Sequence, residues 1–155
     1  MGAIKILFLD IDGVLNSHAY WKKLIPLNIL PDDKIDPEAV QRLNQITDAT
    51  GAFIVVSSTW RMAYTHNFLG LRQMLENVGV TGRVLGMTPV DNQARGGQIQ
   101  DWMTTSFRDI DAFVILDDDS DMLHLTKFLV KTNYADGLQD VHVQKAIAIL
   151  NGDKT

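Results

Sequence analysis

Short apolar runs recur along the chain, and each ends in a polar or glycine-bearing stretch. Ile4-Lys5-Ile6-Leu7-Phe8-Leu9 is rich in β-branched residues, too short for a typical helix, and reads as a strand buried on both faces. Ala52-Phe53-Ile54-Val55-Val56 and Ala112-Phe113-Val114-Ile115-Leu116 have the same character. Arg83 to Met87 is a weaker strand, expected at a sheet edge, and Phe128 to Val130 is a short last one.

Between the runs the period changes. Asp36-Pro37-Glu38 has a capping acid, a proline for the first helical position and an acid for the first turn. Ala39, Val40, Leu43 and Ile46 follow at helical spacing, and Gly51 should end that helix. A second helix is expected over Met62 to Val78, with Phe68, Leu71, Met74, Leu75 and Val78 inward and Gly79 as terminator. Gln98 to Phe107 reads as a third, with Ile99, Trp102 and Met103 inward. Met122 to Lys127 is a short helix or turn, and Gln139 to Leu150 closes the chain with Val143, Ala146, Ile147 and Leu150 inward. Val14 to Pro31 fits neither period. It reads as an irregular excursion, a flap over about residues 14–35, folded over a site or packed on the core edge.

Strand–helix alternation predicts an α/β fold: three layers around a doubly wound, mostly parallel five-stranded sheet with right-handed crossovers. The chain has 155 residues, which suits one domain spanning 1–155 and is too short for two. At 46% apolar and 21% charged, its composition is that of a globular protein. The net charge of -5 removes a global basic footprint for nucleic acid, though a local basic rim stays open. Without cysteine there is no disulfide or thiolate metal site. No apolar run approaches the roughly 20 residues that span a bilayer, and no signal-peptide pattern precedes the first strand. Cytoplasmic residence without membrane contact is the expectation.

The chemistry gathers at strand ends. Asp10 and Asp12, then Gly13, follow the first run. Open α/β sheets bind ligands at the carboxyl ends of their strands. Like charges there are costly without a cation or hydrogen bonds. Asp10-Ile11-Asp12 therefore points to a hard metal ion with phosphate nearby. The fourth run ends in Asp117-Asp118-Asp119-Ser120-Asp121, a second cluster of the oxygen donors that octahedral Mg2+ needs. If these two strands are neighbours at the switch point, both clusters share one crevice. Ser57-Ser58-Thr59-Trp60-Arg61 follows the second run; its hydroxyls suit phosphate oxygens, and Ser58 or Thr59 equally suits a helix cap. Arg95, just ahead of its helix, either reaches the site or is a solvated loop arginine. Trp21, Trp60 and Arg61 suit base stacking or a second phosphate, and core packing equally accounts for the tryptophans. His18, His66, His124 and His142 show no metal-ligand spacing among themselves.

Asp10-Ile11-Asp12-Gly13-Val14, Ser57, Arg95 and Leu116-Asp117-Asp118-Asp119-Ser120-Asp121 occur in the motif order of the haloacid dehalogenase (HAD) superfamily, which essentially the whole chain resembles. Ser57 to Arg61 and Arg95-Gly96-Gly97-Gln98-Ile99 further resemble a small capless subgroup that includes domains of nucleic-acid repair proteins. The resemblance implies a HAD-like Rossmannoid fold with no large cap domain. It implies an Mg2+-dependent phosphatase with Asp10 as nucleophile, forming an aspartyl-phosphate, and Asp12 as general acid and then base. Ser57 would hold the phosphoryl group and Arg95 would neutralise charge, with Lys127 and Lys131 as rivals for that role. Asp10, the backbone carbonyl of Asp12, Asp117 and Asp118 or Asp121 would serve the metal, and Ser58, Trp60 and Arg61 would contact substrate. An open site suits a nucleotide or polynucleotide terminal phosphate, ahead of a small metabolite or a phosphoprotein. A receiver-like regulatory domain would need its phospho-accepting Asp at the end of the third strand, where Arg83 to Thr88 offers none. A non-catalytic phosphate-binding domain would be marked by loss of a carboxylate, yet Asp10, Asp12 and Asp117 are all present.

Overall fold

The computed structural model describes residues 2–29 and 34–152; residues 30–33 of the expected excursion lie outside them. Five strands, β1 (Ile4–Leu9), β2 (Phe53–Val56), β3 (Val84–Met87), β4 (Ile110–Asp117) and β5 (Leu129–Lys131), form one parallel sheet in the order β3-β2-β1-β4-β5. Every pairing is parallel, and β3 is at an edge as its weaker pattern predicts. The helices are α1 (His18–Leu24), α2 (Pro37–Thr50), α3 (Phe68–Asn77), α4 (Arg95–Thr105) and α5 (Asp140–Leu150).

β1 shows why a strand that is apolar on both faces, as this one is over Ile6–Leu9, must be central. Leu7 and Leu9 face Val40, Leu43 and Ile46 of α2, Leu71 and Leu75 of α3, and Val143, Ala146 and Leu150 of α5. Ile6 and Phe8 face the other way, onto Ile99 of α4, Met122 and Leu125. Trp102 meets the Phe8 ring edge-on at 5.8 Å. Each fully buried side chain of this kind contributes about 1.5–3 kcal/mol relative to exposure, so both faces of β1 anchor the fold.

The connections leave β1 toward β2 and β3 on one side, then cross to β4 and β5 on the other. The β1/β4 boundary is thus the switch point, where a crevice opens beyond the carboxyl ends of the strands. Leu9 pairs with Leu116, and the Asp10 N–H donates to the Leu116 carbonyl at 3.0 Å. Asp10 and Asp117 therefore leave the sheet side by side.

Three local expectations are corrected. The stretch Met62–Val78 is not one helix. Ser58 caps a 3-10 turn over Thr59–Tyr64, His66 takes a left-handed φ of 59°, and Asn67 then caps α3 by accepting the Gly70 N–H. α4 begins at Arg95 rather than Gln98, despite two glycines in its first turn. The excursion after β1 is not wholly irregular: Ser17 caps α1, and a 3-10 turn over Ile25–Leu27 follows. α1 is tied to the loop beyond β5, with His18 and Ala19 N–H groups donating to the carbonyls of Tyr134 and Ala135. α2 runs as expected, from the Asp36 cap to Gly51 at φ 73°. Among the described residues there is no large cap, and no helix is long and apolar enough to cross a membrane.

Candidate active site

Asp10 is 5% exposed and Asp117 fully buried. Together with the partly buried Asp118 they bring one carboxylate oxygen each within 4.8 Å of one another. Arg95 Nη1 lies between two of them, 3.2 Å from Asp10 Oδ1 and 2.8 Å from Asp117 Oδ2. The Ile11 N–H also donates to Asp10 Oδ1 at 2.9 Å, and the Asp119 N–H to Asp117 Oδ1 at 2.9 Å. Burial, then the negative charge of Asp117, pushes the Asp10 carboxyl from its ordinary 3.8 up to about 8, against the opposing pull of Arg95. Burial and Asp117 likewise raise Asp118. For Arg95, burial works against the charge, but Asp117 and Asp10 outweigh it and hold the guanidinium as a firm cation.

One guanidinium does not balance three crowded carboxylates. The donors are hard oxygens, which suit Mg2+. The backbone also makes room for them: Gly13 has φ +82°, and a Cβ there would overlap the Asp118 carboxylate. Asp10, Asp117 and Asp118 thus fit a divalent cation. Asp12 is expected to serve the metal through its backbone carbonyl, and its side chain is engaged apart from this group; the Asp121 side chain also lies outside it. Asp12 Oδ1 accepts from Asn16 Nδ2 at 2.9 Å and Trp60 Nε1 at 3.0 Å. Asp121, exposed, accepts the Arg95 N–H through Oδ2 and the Gly96 N–H through its carbonyl, so it serves the start of α4.

Ser57 is fully buried, and its Oγ has no hydrogen-bonding partner among the described residues. A buried hydroxyl left unpaired is costly, and this one stands at the end of β2, next to β1. Its free donor fits an oxyanion. Ser58 Oγ instead caps the Trp60 N–H. Arg61 is 3% exposed and directed inward: Nε donates to the Ser58 carbonyl, Nη1 to Thr88 Oγ1 and the Thr88 and Pro89 carbonyls, and Nη2 to Gln98 Oε1. It joins the turn after β2 to the loop after β3. Lys131 is exposed, and Lys127 lies over the Phe128 ring at 5.1 Å, so Arg95 is the cation that touches the carboxylates. Trp21 packs edge-on against Tyr134 at 5.6 Å.

Two residues of the site carry no motif signal by type alone. Asn16 is 2% exposed; its Oδ1 accepts the Gly13 N–H at 3.0 Å while its amide reaches Asp12. Thr132 Oγ1 donates to the Gly13 carbonyl at 2.7 Å. Asn16 follows Asp12-Gly13 at a spacing that suits a side-chain-closed turn, a detectable signal. Thr132 follows β5 and has none. Cavities open on both sides of the Thr59–Tyr64 turn. One, about 590 Å3, is lined by Trp60, Ala63, Tyr64 and Met74; the other, about 390 Å3, by Arg61, Met62, Arg95 and Asp121.

This arrangement can hold a phosphate against a buried carboxylate, with a cation on one side and a second carboxylate two residues on. No curated protein and no solved structure matches the chain. A family model described as the HAD domain in Swiss Army Knife RNA repair proteins matches residues 6–143. That span contains all the strands but the first two residues of β1, and every carboxylate of the site, so the chain belongs to this family of HAD domains.

Proposed function

We propose that this chain is an Mg2+-dependent phosphomonoesterase that works through an aspartyl-phosphate on Asp10 and acts on phosphorylated RNA ends. Family membership supports a phosphatase-like activity. The observation that carries the rest is the group of buried Asp10 and Asp117 with partly buried Asp118, Arg95 bridging the first two at the switch point.

An ester phosphate repels a carboxylate nucleophile, so charge must be neutralised before attack. Mg2+ held by Asp10, Asp117 and Asp118 would supply that screening and the stabilisation of equatorial phosphoryl oxygens. Arg95 contributes a fixed positive charge, and Ser57 Oγ–H donates to a phosphoryl oxygen. An Asp10 carboxylate oxygen bonds to phosphorus as the bond to the leaving oxygen breaks. Asp12 gives its proton to that oxygen, and the alcohol departs. Asp12, now a carboxylate, takes a proton from water as the water oxygen bonds to phosphorus. The Asp10–phosphorus bond breaks, and both Asp10 and inorganic phosphate are released. Division into two displacements replaces one difficult hydrolysis by two easier steps.

The receiver-like alternative is disfavoured by topology. Receiver-type sheets run 2-1-3-4-5, whereas here β3 lies at the edge beyond β2 and carries no carboxylate. The substrate reading rests on the family description and on the lack of a large cap among the described residues, which leaves the crevice open to a polymer end.

Phosphate release from 3′- and 5′-phosphorylated oligoribonucleotides, mononucleotides and sugar phosphates, in Mg2+ and in EDTA, tests the proposal. Turnover should need Mg2+, favour an oligoribonucleotide end and fall by at least about 1,000-fold in Asp10→Asn. Turnover that persists in Asp10→Asn refutes the nucleophile, and a preference for sugar phosphates refutes the substrate class.

A further inference from the structure

The side chain of Asp12 is held by two groups that can only donate. Trp60 Nε1 approaches Oδ1 at 3.0 Å and Asn16 Nδ2 approaches the same oxygen at 2.9 Å. An indole N–H has no acceptor capacity, and neither has a carboxamide NH2. The amide cannot be turned round, because its oxygen accepts the Gly13 N–H at 3.0 Å. A proton on Oδ1 would face two donors. A protonated Asp12 therefore carries its hydrogen on Oδ2, and among the described residues no donor contacts Oδ2.

We infer that Trp60 and Asn16 are positioning residues for acid–base catalysis: they fix the Asp12 carboxyl so that Oδ2 alone presents the proton to the leaving oxygen and later receives one from water. This rests on the phosphomonoesterase reading above. It assigns to Trp60 a role through Asp12 rather than through stacking on a base. The two donors come from different parts of the chain. Asn16 lies four residues beyond Asp12, at the end of the turn after β1, whereas Trp60 lies 48 residues away on the 3-10 turn after β2. The partly buried Trp60 ring packs against the core on the Leu7 and Leu9 face of the sheet, so the indole N–H is held by its own apolar body. Asn16 is itself buried and tied to the backbone of the turn. A carboxyl gripped at one oxygen from two directions keeps both its position and its plane, which is what proton transfer within hydrogen-bonding reach requires.

Leaving-group dependence separates this role from a structural one. An alkyl leaving oxygen, as at a ribose, needs the proton; a p-nitrophenolate does not. The value of kcat/KM covers formation of the aspartyl-phosphate and departure of the alcohol, so it reports the step in which Asp12 acts as acid. It is measured for a phosphorylated oligoribonucleotide and for p-nitrophenyl phosphate, with the unaltered chain, Trp60→Phe and Asn16→Asp. Trp60→Phe keeps an aromatic body and removes the donor; Asn16→Asp keeps the oxygen for the Gly13 N–H and removes the NH2. Each variant should lower the ratio of alkyl to aryl kcat/KM by at least about 10-fold, a part of the 10²–10⁴-fold that a positioned acid supplies. The ratio does not depend on the folded fraction, so partial unfolding leaves it readable. An unchanged ratio, with both substrates slowed equally or neither slowed, overturns the inference while the phosphatase reading stands. If the unaltered chain shows no Asp10-dependent turnover of the alkyl ester, the phosphatase reading itself falls, and this role with it.

Discussion

Gly13 ties backbone conformation to the charge cluster. Its φ of +82° is a left-handed conformation that costs another residue about 1–2 kcal/mol. A Cβ would also overlap the Asp118 carboxylate. Gly13 further donates its N–H to Asn16 and accepts from Thr132, so the turn is held from both sides. Gly13→Ala should therefore do two things at once. It should lower the Tm, and it should weaken the rise in Tm that Mg2+ produces, because Asp118 must move away from Asp10 and Asp117. A thermal melt with and without Mg2+ reads both. A variant with lowered Tm but an unchanged Mg2+ response would mean that Asp118 plays no part in holding the ion.

α4 is where helix propensity and tertiary packing pull in opposite directions. Replacing a glycine inside a helix by alanine normally stabilises by about 1 kcal/mol. Gly96, however, lies against the backbone of Met122, and a Cβ there would overlap the Met122 carbonyl. Backbone cannot step aside as a flexible side chain can. Gly96→Ala should thus destabilise by about 1–3 kcal/mol, the usual cost of overpacking, and urea denaturation should show a lower midpoint. A raised midpoint would show that α4 can shift outward freely. The same close approach carries Arg95 inward: the Gly96 N–H donates to the Asp121 carbonyl, and the residue before it then reaches Asp10 and Asp117. Substitution should accordingly cost activity as well as stability.

The molecule as a whole holds a buried acid whose ionisation opposes folding. Asp10 binds a proton in the folded chain up to about pH 8 but loses it near 3.8 when unfolded. Between those values the native state binds more protons than the unfolded state. Stability contributed by this group is therefore complete below about pH 3.8 and lost as pH rises through 8. In EDTA, the Tm should fall between pH 5.5 and 8.5, by about 2–4 °C for each kcal/mol lost. Asp10→Asn should flatten that fall, since an amide does not titrate. Mg2+ competes with the proton for the same oxygens, so the Tm rise it produces should be larger at pH 8 than at pH 5.5. An equal slope in Asp10→Asn and the unaltered chain would place the pH sensitivity elsewhere.

Much of this was legible in the chain. Ile6 to Leu9 in β1, Phe53 to Val56 in β2 and Phe113 to Leu116 in β4 are unbroken apolar runs because they pack on both faces, so burial wrote itself into composition. Asp36, Pro37 and Gly51 mark α2 because caps are local chemistry, complete within a few residues. The carboxylates announced themselves for the same reason, following core strands directly. What only tertiary structure decided involves residues distant in sequence. Gly96 and Gly97 argue against a helix start until the Met122 backbone is seen to require Gly96. The stretch from Met62 to Val78 keeps helical spacing, yet it is broken between Tyr64 and Phe68, where the capped turn before the break places Trp60 against Asp12 and Arg61 against Thr88. Among Arg95, Lys127 and Lys131 the sequence could not choose, since each has the charge. Arg95 alone has the position, because the order β3-β2-β1-β4-β5 brings the start of α4 to the β1/β4 crevice. Local pattern specifies which segments are strands and which residues carry charge; the sheet order, set by how the two faces bury their apolar area, decides which charges meet.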